Sequence, residues 1–281
     1  MSSTRELTMA PATSTHAPRA TRIHHPLVPR LLTVRRVTDL SPTLRRVALG
    51  GPALDGFAAH GPTDHVKVFF PDADGEVRMP VVEDGRWAGR DDSLPFRDFT
   101  VRTFGPQSRE LELEIAVHAD GLAGAWAARA APGRRLGVLG PKSSTLPPLD
   151  RDWYLLAVDE TGLPAVANWL DRLPGDTPVR VLAEVDGPVD EVPLPARPGT
   201  QVTWLHRGGA ERGTTTLLPD AVASVLPDEP DGAGWLFAAG EATATRAIRA
   251  MARERGLGDS SSITGYWRRG VVHFDHHSPD A

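Results

Sequence analysis

The chain has 281 residues, 40% of them apolar and 24% charged, with a formal net charge of −5 and a pI near 6.1. That length suits two domains, each able to bury its own core, and the acidic balance offers no global field for a nucleic acid. Cysteine is absent, which excludes disulfides, thiolate zinc sites, Cys-ligated iron–sulfur clusters and a thiol nucleophile, so redox chemistry would have to reside on a bound organic cofactor.

Residues 1–25 are rich in Ser, Thr, Ala and Pro and lack the apolar run of a secretory signal, so a disordered tail is expected there. Arg, Asp, Gly or Pro interrupts every hydrophobic segment before it reaches the roughly 18–20 residues of a membrane helix. The expected protein is soluble and cytoplasmic, with neither a membrane nor a nucleic acid as partner.

From 26 to 147 the pattern is one of short strands: TVRRV, TLRRVALG, DHVKVFF, FRDFTVRTF, ELELEIAVH and RRLGVLG, separated by Gly, Pro and Asp clusters. In the fifth, Leu111, Leu113, Ile115 and Val117 alternate with Glu110, Glu112 and Glu114, the period-2 signature of a strand with one wet face. One short helix is expected over residues 122–131. Many strands with little helix predict an antiparallel β-barrel.

After Pro147 and Pro148 the pattern changes. WYLLAV is a continuous apolar run, Leu163, Val166, Leu170 and Leu173 recur near helical spacing, and residues 179–185 read as another strand. The alternation continues through VTWLHR, a helix over 214–226, the strand WLFAAG, a helix over 241–255 and a last strand over 263–267. Residues 148–272 are therefore expected to form a Rossmann-like α/β domain with a parallel sheet and ligands at the C-terminal strand ends. Residues 273–281, with His273, His276 and His277, are read as a flexible tail and not as a metal site.

Three constellations carry chemistry. On a barrel strand, Arg97-Asp98-Phe99-Thr100-Val101-Arg102 supplies an aromatic face, short polar groups and guanidinium groups, the needs of a flavin and its phosphates. Strict alternation puts Arg97 and Phe99 on the face opposite Thr100 and Arg102, so a single ligand meets all of them only through a bulge or backbone contacts. An exposed amphipathic strand is the plainer reading. Next come Val117 and His118, then Gly121, Leu122, Ala123, Gly124, Ala125 and Trp126, running from a strand into a helix start, where small residues let backbone N–H groups approach a diphosphate. Here His118 could equally be a barrel-mouth histidine and Trp126 a core residue. The third set sits at the parallel strand ends: Asp159, Glu160 and Thr161; Gly240 and Glu241; Tyr266, Trp267 and Arg268. This marks a nucleotide crevice although no G-x-G-x-x-G is present; Glu241 would also suit a helix N-terminus on electrostatic grounds alone. No catalytic acid or base and no metal ligand set is singled out.

In this order the residues resemble the siderophore-interacting protein family of FAD-dependent ferric-siderophore reductases, within the ferredoxin-reductase-like superfamily. The resemblance spans about residues 28–271 and rests on Asp64-His65-Val66-Lys67 with Phe70-Pro71, the 97–102 hexapeptide, His118 with residues 121–127, Gly140-Pro141, Asp159-Glu160-Thr161 with Leu163-Pro164, Ala239-Gly240-Glu241 and Gly265-Tyr266-Trp267-Arg268. It implies FAD on the barrel, with Phe99 stacking on the ring, Thr100 at its edge, Arg97 on the phosphates, and His118 with the 121–123 turn beside the ribityl and diphosphate. It also implies NADPH or NADH docking at residues 159–161, 240–241 and 266–268, and a ferric siderophore held by Lys67 and Arg268. Ferredoxin is a further candidate partner. A general flavin or ferredoxin-type reductase and a non-catalytic siderophore carrier remain as alternatives. Phe99 stands where the family usually has Tyr, Val158 where Gly is common, and Leu122 in place of a usual Pro; Val158 is expected to crowd the nucleotide.

Overall fold

The computed structural model describes residues 20–89, 94–118, 121–226, 232–272 and 274. Six strands close an antiparallel barrel in the order β2-β3-β8-β7-β4-β9. These are β2 (Pro29–Ser41), β3 (Leu44–Gly50), β4 (His65–Phe69), β7 (Phe96–Gly105), β8 (Glu110–Ala116) and β9 (Arg135–Leu139). A two-stranded ribbon of β5 (Val82–Glu83) and β6 (Arg86–Trp87) lies outside the barrel wall. The alternation of β8 emerges as read: Leu111, Leu113 and Ile115 are fully buried in the barrel core. Its glutamates are matched across strands, Glu110 and Glu112 by Arg36 at 2.9 Å each and Glu114 by Arg46 at 2.5 Å.

β1 (Thr21–His24) is a correction to the expected 1–25 tail, because it pairs antiparallel with β10 (Ser143–Leu146). The physical reason is a buried polar knot that composition does not disclose. The Asp64 carboxylate, 2% exposed, accepts the Ser144 hydroxyl and the backbone N–H groups of His60 (2.6 Å) and Gly61 (3.0 Å), while His25 Nε2 lies 2.8 Å from Ser144 Oγ. Residues 1–19 lie outside the described part of the tail. So do His273, His276 and His277 of the expected 273–281 tail, whose Phe274 lies close to Gly265.

The second half is a five-stranded parallel sheet in the order β13-β12-β11-β14-β15. Its strands are β11 (Trp153–Asp159), β12 (Val179–Val185), β13 (Thr200–His206), β14 (Gly234–Glu241) and β15 (Ser261–Trp267). On β11 the residues Tyr154, Leu156 and Val158 face one core, with α2 (Leu163–Arg172), while Leu155 and Ala157 face the other, with α3 (Leu217–Val225) and α4 (Ala242–Glu254). Burial on both faces explains why the strand reads as an unbroken apolar run. Strand order reverses between β11 and β14, and a crevice opens at such a switch point.

The two halves meet where α2 docks on β7. Asn168, 1% exposed, donates to the carbonyls of Val101 (2.7 Å) and Pro62 (3.1 Å) and accepts from Arg102 Nη1 at 3.1 Å. The same guanidinium reaches Asp171 at 2.9 Å. Leu44 at the start of β3 is buried in the α/β domain's core, and Thr43 donates to Asp190 at 2.6 Å. Arg102, expected within the flavin motif, thus serves the domain junction. Truncating Asn168 leaves two buried carbonyls unpaired, at about 1–3 kcal/mol for an orphaned buried group. Asn168→Ala should lose about 2–4 kcal/mol in urea unfolding, and a loss below about 1 kcal/mol would show that the amide does not hold the junction.

Candidate functional site

β7 changes partner midway, so the strict alternation of the hexapeptide is broken only beyond Thr100. Phe96 to Thr100 pair with β4, whereas Val101 onward pairs with β8 across a register shift between Val101 and Thr103. The bulge turns consecutive side chains towards different neighbours. Phe99 packs half-buried on the barrel core, its ring 6.3 Å from Phe70, and Phe70 lies 5.6 Å from Trp126 on α1 (Leu122–Ala127). These edge-on contacts bring the hexapeptide and the 121–127 segment to one place. Val101 and Thr100 are buried. Arg97 is half-buried, donates to the Phe96 carbonyl at 2.6 Å, and is pushed below an ordinary guanidinium by desolvation.

Gly121 has φ +97°, and among the described residues no side chain caps the first turn of α1. That leaves its N–H groups to another acceptor. A Cβ on Gly124 would lie 2.5 Å from the His118 carbonyl, and one on Gly121 3.1 Å from the His118 ring. The smallness of Gly124 therefore accommodates His118, an exposed residue. Val117, Leu122, Ala123 and Trp126 pack on the barrel core, so Trp126 is partly a core residue, as the plainer reading had it. An aromatic wall, buried short polar groups, a desolvated guanidinium and an uncapped helical turn form a donor set that fits a flavin with its diphosphate.

At the sheet's switch point the expected crevice residues bind one another. The Asp159 carboxylate accepts from the Thr161 N–H (2.9 Å) and hydroxyl (2.5 Å), the Glu241 N–H (2.9 Å) and Trp267 Nε1 (2.8 Å). Burial, reinforced by neighbouring Glu160, pushes Asp159 up to about 6 against the pull of Thr161 and Trp267. Gly240, at φ +152°, is needed because a Cβ there would fall 2.6 Å from that carboxylate. Glu241 caps α4 by accepting the N–H groups of Thr243 and Ala244, and also takes the Arg269 N–H at 3.2 Å. Glu160 is held in a bidentate pair by Arg207 at 2.9 Å for each bond, with Arg212 2.6 Å away. Glu160 and Thr161 are thus committed within the protein, and neither lines the cavity of about 210 Å³ that opens between α3 and α4. Asp159, Glu241 and Trp267 do line it. Val158 does not: its side chain packs against α2's side of the sheet, and a Cβ on Gly162 would come within 2.7 Å of it, so the expected crowding does not arise.

Tyr266 joins the two sites. Burial pushes its hydroxyl up to about 12, against the pull of the Thr100 side chain on β7. Lys67 pairs with both oxygens of Asp98, at 2.8 and 3.0 Å, and its ammonium lies 5.0 Å from the Phe96 ring centre. Arg268 follows β15, half-buried. Sequence reasoning missed Arg207, Arg212 and Glu184. Their signal was the Gly-rich RGGAERGTTT loop after a predicted strand, and an acidic residue near the end of another.

Residues 33–145 match the siderophore-interacting FAD-binding domain, and residues 151–270 match the siderophore-interacting protein family. The ferric vibriobactin reductase ViuB of Vibrio cholerae is 33% identical over 248 residues, covering 86% of this chain and 90% of that protein. An NADPH-dependent ferric-chelate reductase of Escherichia coli is 39% identical over 153 residues, 54% of this chain and 60% of that protein. Among solved structures, a siderophore utilization protein from T. fusca superposes with a TM-score of 0.87 at 43% identity, over 92% of this chain and all of that one. A ferredoxin reductase of a carbazole dioxygenase, at 17% identity and a TM-score of 0.62 over 84% of this chain and 68% of that one, shares the fold. With both halves matched and the barrel and parallel sheet in the expected order, the chain belongs to the siderophore-interacting protein family.

Proposed function

We propose that the chain is a flavoprotein oxidoreductase that holds FAD on the barrel, draws electrons from NADH or NADPH at the sheet's switch point, and reduces the iron(III) of a bound siderophore. The observation that carries this reading is the Asn168–Val101 hydrogen bond at 2.7 Å, which ties the α/β half to the strand of the FAD motif and brings the two candidate sites together. Bound FAD would take an electron pair from a nicotinamide and deliver single electrons to iron.

The residues' tasks are binding and orientation. Phe99 offers the ring face, Thr100 the ring-edge contact, and Arg97 with the first turn of α1 the charge and N–H groups for the phosphates. Asn168 fixes the Val101 carbonyl next to Thr100, so the nucleotide half cannot shift without moving the flavin strand. Lys67 and Arg268 are assigned to the anionic siderophore. Its hard oxygen donors favour iron(III), so reduction weakens the chelate without requiring a protein acid or base.

The function is tested by mixing purified yellow protein anaerobically with NADH or NADPH and then with a ferric siderophore. Flavin absorption should bleach in the first step and return in the second; bleaching with no return would reject the siderophore as acceptor. Arg97→Ala should purify with most of its flavin absorption gone, whereas full FAD occupancy would remove Arg97 from the phosphate site.

The raised Asp159 has a thermodynamic consequence. A carboxyl whose folded value of about 6 exceeds its ordinary 3.8 contributes stability that is fully present below about pH 4 and lost as pH rises through 6. The stability of Asp159→Asn relative to the parent should therefore rise between pH 4 and 7, by about 3 kcal/mol at most. A difference that stays flat across this window in urea titrations would mean that Asp159 ionises as an ordinary surface carboxyl does.

A further inference from the structure

The relative from E. coli is named for NADPH, but family membership leaves this chain's own donor open. The cavity decides it. In dinucleotide-binding sheets the adenosine ribose is read near the end of the second strand, where a carboxylate accepts from a free 2′-hydroxyl or a guanidinium neutralises a 2′-phosphate. This chain places both kinds of group at the cavity: Glu184 on β12 and Arg207 just after β13.

Their partners separate them. Both terminal nitrogens of Arg207 are bonded to Glu160 at 2.9 Å, Nη1 lies a further 3.5 Å from Glu184, and the side chain is 3% exposed. Stripping one partner from a buried pair costs about 3–5 kcal/mol, so this guanidinium is not free to turn to a ligand. Arg212 is drawn to the same Glu160 at 2.6 Å and lies over the Trp267 ring at 5.7 Å. Of the charged side chains that line the cavity, Asp159, Glu184 and Glu241 are acidic and Arg207 is basic. Among the described lining residues a 2′-phosphate would meet no unmatched cation, and it would face Glu184. Thr215 donates to Glu184 Oε1 at 2.9 Å, holding the carboxylate at the cavity wall where it can accept from a ribose hydroxyl.

We infer that the crevice selects a donor without a 2′-phosphate, NADH over NADPH, and that Glu184 is the selecting side chain. This rests on the nucleotide-crevice reading above. The test is calorimetric titration of the full-length FAD-loaded protein with two non-reducing probes, ADP-ribose and its 2′-phosphorylated form. ADP-ribose should bind at least about tenfold more tightly, about 1.4 kcal/mol. In Glu184→Gln, which keeps the shape and removes the charge, the gap should shrink about threefold or more. Equal or tighter binding of the phosphorylated probe to the parent protein overturns the selection while leaving the crevice in place; no binding of either probe overturns the crevice reading and the selection with it. The parent protein alone decides the selection, whatever the folding of the variant, and an unchanged gap in a folded Glu184→Gln would remove Glu184 as the selecting side chain.

Discussion

A single buried amide, that of Asn168, carries the geometry on which the rest of the molecule depends. It satisfies two barrel carbonyls and receives Arg102 in return, so three polar groups that would be costly if orphaned are paired at the domain junction. Hydrophobic contact accompanies it, with Leu44 of the barrel sealed into the core of the neighbouring domain. Apolar burial favours association but is indifferent to register, whereas the amide accepts one alignment. Because Val101 follows Thr100 in the chain, that alignment also fixes where Tyr266 meets the flavin strand.

The nucleotide half lacks a glycine fingerprint because the protein's own side chains occupy the space a fingerprint would leave open. Gly240 and Gly162 each permit a close approach, yet what approaches is Asp159 in one case and Val158 in the other. Asp159 and Glu241 likewise take helix-start and loop N–H groups that a diphosphate uses in a glycine-rich sheet. Such a crevice is pre-organised and acidic, which is the ground for inferring a donor that binds through hydroxyls.

The architecture was legible because its signals are periodic. Alternation in β8 and the apolar runs of β11 and β14 identify a barrel followed by a parallel sheet, since one wet face and two buried faces leave different patterns. Gly121 and Gly124 were read as points where a diphosphate approaches and Gly240 as a strand end, but sequence could not say what lies beside them, because that depends on how the chain folds back on itself. His118 fills the space beside Gly124, and Asp159 that beside Gly240. Arg102 stands within the hexapeptide, and its partners on α2, which the sequence does not disclose, tie it to the domain junction. β1 escaped notice because its strand pairing depends on Ser144 and Asp64, far from a Ser- and Pro-rich tail.

The cations near the candidate site fall into two kinds, and burial separates their roles. Arg207 and Glu160 are almost wholly removed from water, so their pairing is a fixed part of the structure that no passing anion can exchange. Lys67 and Asp98 remain about a quarter exposed, and a pair at such exposure contributes no more than about 1 kcal/mol. A multivalent ferric chelate presenting several oxygens can therefore compete with the single Asp98 carboxylate, while a small monovalent anion gains little from doing so. In a protein of net negative charge, a lysine already half-neutralised also limits indiscriminate anion capture. Under the proposed function, the exposed pair would act as a threshold for the substrate and the buried pair as a wall for the donor.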